Sequence, residues 1–162
     1  MKQLIRRTIL KRTLVAGIAL VAVAVTASGQ SSPTGTSLVG AWRVTEFADA
    51  NAAPITNPQP GLYIFTRQHY SFARIQGTRP LPPYPSNDKA TDADKVAVFN
   101  ALYLNTGTYT VTGNTLATKA MVAKSAFAIG GAGNQYEFTV TGNNLVLTQK
   151  PSGAVIRLVR LE

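Results

Sequence analysis

A repeated pattern of strand, tight turn and strand constrains the fold of this chain more than any other feature. Residues 109–116 read YTVTGNTL, and residues 138–145 read FTVTGNNL, 29 positions later. In each copy a strand runs into Gly-Asn. Glycine at the first central position suits a type II′ turn, whose twist matches that of a β-hairpin. The repeat therefore predicts two hairpins with tips at Gly113-Asn114 and Gly142-Asn143, and two copies are too few for a solenoid.

Short runs of aromatic and β-branched residues between turn residues predict eight strands. We place them at residues 38–47, 62–66, 70–76, 107–112, 115–124, 135–141, 144–150 and 154–161. Most neighbours are joined by connections of hairpin length, which favours antiparallel pairing. The sequence thus predicts an all-β fold with one short helix, built as an eight-stranded up-and-down barrel or half-barrel. A barrel of this size is filled by side chains or holds one small ligand.

One helix is expected after the third strand. Four prolines between residues 78 and 88 predict an extended loop, because proline is excluded from helix interiors and central strands. Thr91 and Asp94 then form a Thr-x-x-Asp capping box that starts a helix, and Asn105 and Gly107 mark its end. An apolar stripe at helical spacing follows the box: Val96, Phe99 and Tyr103.

The first 29 residues resemble an export signal. Five of the 16 lysines and arginines precede Thr13, and an uncharged stretch rich in Leu, Val and Ala follows them. Ala27-Ser28-Gly29 places small residues where a signal peptide is cleaved. Arg6-Arg7 also fits a twin-arginine signal, so the Sec route, the twin-arginine route and an uncleaved membrane anchor stay open. We expect a signal at 1–29, a linker at 30–37 and a domain at 38–162, exported to the periplasm or secreted.

Composition excludes several function classes. The chain has no cysteine and one histidine, His69, which excludes disulfide frameworks, thiolate metal sites and paired-histidine chemistry. Residues 30–162 carry 11 Lys and Arg against 7 Asp and Glu, a net charge of +4, and these cations are scattered. Nucleic-acid binding calls for a clustered basic stripe. We therefore expect no nucleic-acid partner, no metal and no cofactor, and a membrane contact only through the export signal.

Four segments resemble the bacterial lipocalin-like domain proteins. Residues 38–43, LVGAWR, resemble the Gly-x-Trp opening strand of lipocalins. Residues 61–71, 106–116 and 156–161 resemble the second hairpin, the next strand with its turn, and the last strand. The resemblance implies a barrel or half-barrel with a cavity, in a family mostly without assigned function. It also implies that a C-terminal arginine, either Arg157 or Arg160, packs over Trp42 at the closed end.

The predicted ligand site is the barrel interior. Alternation places Tyr70, Phe72 and Arg74 on one face of their strand, although the opposite face, with Ala73 and Ile75 inward, stays open. A buried arginine requires a carboxylate, supplied either by Glu46 or by an anionic amphiphile such as a fatty acid. The expected ligand-binding residues are Trp42, Ile64, Phe72, Arg74, Tyr109 and Leu147. Trp42 also fits a second interpretation, in which its ring packs inside the barrel as a structural residue and contacts no ligand.

Three functions are consistent with these residues. The first is an exported barrel that binds a small hydrophobic or amphiphilic molecule. The second is a cavity enzyme of the isomerase or cyclase type, which requires His69 or Arg74 together with Glu46 inside the pocket. The third is a structural or interaction protein with a filled barrel. His69 is predicted at a hairpin tip, where a histidine is usually a solvated turn residue, so we assign no catalytic residue. The oligomeric state stays open.

Overall fold

The strands close into a barrel. The computed structural model describes residues 35–162 except 82, 85 and 87; the predicted export signal lies outside the described residues. Eight antiparallel strands pair in chain order, and the last strand pairs with the first. The predicted eight-stranded up-and-down barrel is confirmed, in its closed form.

The elements follow the predicted order with shifted ends. The strands are β1 (Gly40–Ala48), β2 (Gly61–Phe65), β3 (His69–Ile75), β4 (Leu102–Thr112), β5 (Thr115–Ala123), β6 (Asn134–Thr141), β7 (Asn144–Lys150) and β8 (Val155–Arg160). The helices are α1 (Gly35–Leu38) and α2 (Asp92–Ala101), with a 3₁₀ turn at Ala126–Ala128. β4 begins at Leu102 rather than at residue 107, because α2 ends earlier than expected.

Helix α2 starts as predicted but does not pack as predicted. Thr91 caps it: the Thr91 hydroxyl accepts from the Asp94 N–H at 3.2 Å, and the Asp94 carboxylate accepts from the Thr91 N–H at 2.9 Å. The predicted apolar stripe is wrong, since Val96 and Phe99 are exposed and Tyr103 belongs to β4. The helix buries none of its residues. No helix in the described part of the chain is long and apolar enough to cross a membrane.

The two ends of the barrel differ in the length of their connections. At the end we call closed, short turns join β2 to β3, β4 to β5 and β6 to β7. Gly113 and Gly142 have φ values of 58° and 57°, and none of the described non-glycine residues has a positive φ. This is the type II′ pattern, so both predicted hairpins are confirmed. At the end we call open, residues 49–60, 76–101 and 124–133 form longer connections.

Trp42 and Arg160 fill the closed end. The Trp42 ring is fully buried, and its Nε1 donates to the Leu38 carbonyl at 2.8 Å. The Arg160 guanidinium carbon lies 4.0 Å from the ring centre. Gly40 has φ +135°, and a Cβ there would overlap the Glu162 carbonyl oxygen and would lie 2.7 Å from Arg160 Nη1. The arginine that the family resemblance implies is therefore Arg160 and not Arg157, and the glycine of the Gly-x-Trp motif makes room for it.

Candidate functional site

Side chains fill the barrel interior where a ligand pocket was predicted. The Phe72 ring stacks on Tyr63 with centroids 4.1 Å apart, and Tyr109 meets Phe65 edge-on at 5.5 Å. Leu147 is fully buried. Four predicted ligand residues line none of the four main cavities of the described chain: Trp42, Phe72, Tyr109 and Leu147. Their role as ligand contacts stays a prediction.

Ile64 lies on the outside of the barrel, so its predicted place in the interior is wrong. In β2 the side chains of Tyr63 and Phe65 are buried, whereas Ile64 is 38% exposed. The reason is strand alternation, because successive side chains point to opposite faces of a sheet. The two aromatic residues point inward because they carry more apolar surface to bury than Ile64 does.

Glu46 does not reach Arg74, and the predicted internal ion pair is wrong. The register of β1 against β8 shifts between Val44 and Glu46. Such a bulge reverses the alternation beyond it, so that Phe47 packs against the core. Glu46 instead accepts a hydrogen bond from Arg157 Nε at 3.0 Å, in a largely exposed ion pair.

Arg74 lies on the same face of β3 as the buried Tyr70 and Phe72. Of the two orientations that the sequence left open for this strand, the structure has the one that places these three residues on the inner face. Its guanidinium carbon lies 4.2 Å from the centre of the Phe47 ring and 5.0 Å from that of Tyr103. The Nε atom is buried and has no hydrogen-bond partner. None of the ion pairs between described residues includes Arg74. A buried donor without an acceptor is costly, more so when it is charged.

A buried tyrosine adjoins this guanidinium. Burial raises the pKa of the Tyr63 hydroxyl above its ordinary value, and the positive charge of Arg74 beside it acts in the opposite direction. Tyr63 therefore stays neutral at physiological pH. It does not supply the negative charge that Arg74 lacks.

Two cavities meet at Arg74 near the open end. The larger is an open cleft of about 870 Å³, and the smaller measures about 340 Å³. Both are lined by Val44, Pro58, Gln59, Arg74 and Ile75. The larger cleft also includes Arg43 and Leu62, which are exposed residues of β1 and β2. The candidate site is thus a cleft at the rim of the barrel, and its volume is typical of small-molecule sites.

A further cavity lies under the glycine-rich loop at residues 130–133. β5 pairs with β6 only as far as Thr118, so the sheet opens beyond that residue. The cavity of about 240 Å³ is lined there by Tyr70, Asn105 and Thr118, together with Gly131 and Gly133. The Tyr70 hydroxyl and Asn105 Oδ1 are hydrogen-bonded at 2.5 Å. Sequence reasoning missed Asn105 and Thr118, because single polar residues in a strand carry no recognisable signal.

These contacts do not form the polar cluster that a cavity enzyme requires. His69 is exposed at the start of β3, next to the β2–β3 turn of the closed end, whereas Arg74 lies near the open end. Glu46 is engaged by Arg157. Within the described residues no group of three His, Asp or Glu side chains lies close enough to hold a metal ion.

Comparison with known proteins gives a fold likeness and no function. A family model described as a domain of unknown function, DUF4458, matches residues 77–145, less than half of the chain. No curated protein sequence matches. The chain is similar to a solved lipocalin-like protein from Bacteroides uniformis at 12% identity and a TM-score of 0.47, over 77% of this chain and 99% of that one. It is also similar to an uncharacterized protein from Bacteroides eggerthii at 10% identity and a TM-score of 0.47, over 76% and 98%.

Arg74 and its apolar neighbours determine the chemistry of the cleft. Arg74 offers donors in a fixed planar geometry that matches a carboxylate. Apolar residues adjoin it in the cleft: Val44, Pro58, Leu62, Ile75 and Leu102. The cleft thus places one cationic group beside an apolar surface.

Proposed function

We propose that this chain is an exported lipocalin-like protein that binds a small amphiphilic molecule with an anionic head group. The ligand lies in the rim cleft, with its head on Arg74. The single observation that carries the proposal is the buried Arg74 Nε, which has no acceptor and lies in the shared wall of two cavities. Export through the segment at residues 1–29 is part of the proposal.

The electrostatics of Arg74 support an anionic head group. Removing a guanidinium from water is offset only when a counter-charge or good acceptors replace the water. Phe47 and Tyr103 supply ring faces, which recover part of that cost. Asp49 lines the smaller cavity with Arg74 but forms no ion pair with it. A ligand carboxylate accepting from the guanidinium completes the pair.

The filled interior moves the ligand from the barrel axis to the rim. The packed rings around Phe72 leave no volume for an acyl chain without repacking the core. The cleft is open to solvent, and its lining includes the apolar side chains of Leu62 and Leu102. An acyl chain that lies there removes apolar surface from water, which contributes about 25 cal/mol of binding free energy per Å². We therefore expect moderate affinity for single-chain amphiphiles.

Calorimetric titration with laurate tests the proposal. Arg74→Met keeps the length of the side chain and removes its charge, so we expect about a tenfold or larger loss of affinity for laurate. The affinity for dodecanol, the neutral analogue, should be nearly the same in Arg74→Met as in the wild type. Arg43→Met is the matched control, because Arg43 lines the same cleft but is exposed; it should bind laurate nearly as well as the wild type. Equal laurate affinity in Arg74→Met and wild type would contradict the proposal.

A second function is favoured by the packed core. A barrel without an internal pocket fits a structural or interaction protein, and the buried rings of Tyr63, Phe72 and Tyr136 are consistent with that role. This candidate expects no heat of binding from laurate or from any member of a panel of anionic amphiphiles. The same titration therefore separates the two functions.

A further inference from the structure

Exposed apolar side chains gather at one side of the open end. Phe127, in the 3₁₀ turn, is 91% exposed, and Met121, in β5, is 61% exposed. We call the following residues the apolar patch: Phe99, Met121, Val122, Phe127 and Ile129. Soluble monomers expose single apolar residues freely, whereas a contiguous group marks a contact surface.

Local structure brings the members of the patch together. The register of β4 against β5 shifts at Thr106/Gly107, so Met121 has no partner on β4 and lies beside Val122 at the exposed end of the strand. Ile129 bridges to Ala120, next to Met121 in the chain. Lys124 Nζ donates to the Phe99 carbonyl at 3.1 Å, which ties the end of α2 to β5 just before the 3₁₀ turn.

The chain segment that carries the patch has charged residues of one sign. From residue 95 to residue 136 the chain contains no aspartate or glutamate, but it contains Lys95, Lys119 and Lys124. This span includes the whole apolar patch. The acidic residues of α2 lie in its first turn, at the opposite end of the helix from Phe99. A segment that exposes apolar residues and Lys119, and that has no carboxylate of its own, is complementary to a membrane surface that carries anionic lipid.

We propose that the apolar patch docks the open end of the barrel onto an anionic lipid bilayer. Phe127 inserts at the interface, and the exposed Lys119 faces the lipid head groups, while Lys124 holds the end of α2 against β5. A ring at the tip of a short turn between two alanines is suited to such insertion, since little else must be desolvated with it. The surface adds a membrane contact to the one expected through the export signal. It does not depend on ligand binding at Arg74.

Co-sedimentation with vesicles tests this inference on residues 31–162, the compact unit that contains all eight strands. We compare vesicles of phosphatidylcholine alone with vesicles that also contain phosphatidylglycerol. The wild type should sediment with the anionic vesicles and be released by salt. Phe127→Ser should lower the partition coefficient about tenfold. Lys119→Gln should lower it about fivefold, as expected for one lysine near an anionic surface.

Matched variants keep the test specific. Ile64→Ser removes an exposed apolar side chain from the opposite sheet region and should leave the partition coefficient unchanged. Arg74→Met should also bind vesicles like the wild type, so failure of the proposed ligand site is distinguishable from failure of docking. The inference is wrong if the wild type ignores anionic vesicles, or if Phe127→Ser binds them as Ile64→Ser does. It is also wrong if Phe127→Ser instead abolishes a lipid-free dimer, because the patch then joins two copies of the chain.

Discussion

Arg160 connects three parts of the closed end through one side chain. It stacks on Trp42 and donates to the carbonyls of Ser37 and Val39 at 2.7 and 2.6 Å. Because hydrogen bonds from charged donors and a buried cation–π contact act together, we expect Arg160→Ala to lower the free energy of unfolding by roughly 3 kcal/mol. Arg160→Lys should recover less than half of this loss, since lysine lacks the planar fork. Urea unfolding followed by the fluorescence of Trp42 measures both values.

Arg157 is the matched control on the same strand. Its ion pair with Glu46 is largely exposed, and exposed ion pairs contribute about 0–1 kcal/mol. Arg157→Ala should therefore cost less than about 1 kcal/mol. Similar losses for Arg157→Ala and Arg160→Ala would show that the stacking on Trp42 contributes little.

At the level of the element, the two Gly-Asn hairpins allow a clean test of turn geometry. Gly113 and Gly142 have positive φ, and a Cβ built on either meets nothing within 4 Å. An alanine there has no steric neighbour, so its cost is that of the backbone conformation at the first central position of a type II′ turn, about 1–3 kcal/mol. We expect Gly113→Ala and Gly142→Ala each to lower the free energy of unfolding by that amount, measured in urea. Asn114→Ala should cost less than about 0.5 kcal/mol; losses as small for the two glycine variants would rule out the type II′ geometry.

Local patterns predicted the elements better than they predicted the faces. The hairpins and strands were predicted because glycine turns and two-residue alternation are local signals. Which face points inward depends on tertiary packing, so Ile64 was assigned to the wrong side of β2. The bulge at Glu46 leaves no trace in the sequence, and one inserted residue reverses every side chain beyond it. The sequence of α2 does contain apolar residues at helical spacing. The closed sheet, however, buries its own core, and α2 lies outside it.

For the whole molecule, sequence predicted the barrel and one residue of the candidate cleft, but not where that cleft lies. Arg74 was identifiable as a charge within an aromatic strand. The cleft, however, depends on the loop with Pro58 and Gln59, which the sequence identified only as a loop. The filled interior depends on how eight strands pack their aromatic side chains, including Tyr63 and Tyr136, whose burial no local pattern in the sequence predicts.

That packed interior makes the fold sensitive to alkali. Burial raises the pKa of the Tyr136 hydroxyl and that of Tyr63 above the ordinary value, so both stay protonated in the folded barrel while the unfolded chain loses these protons above about pH 10. The free energy of unfolding should be constant below that pH and should fall above it, by about 1.4 kcal/mol per pH unit for each tyrosine. Tyr136→Phe should remove one such contribution from the slope in urea unfolding between pH 9 and about pH 11. Phe138→Leu, which alters the same core without an ionisable group, should lower stability but leave the slope unchanged; an unchanged slope in Tyr136→Phe would mean that water reaches that hydroxyl in the folded protein.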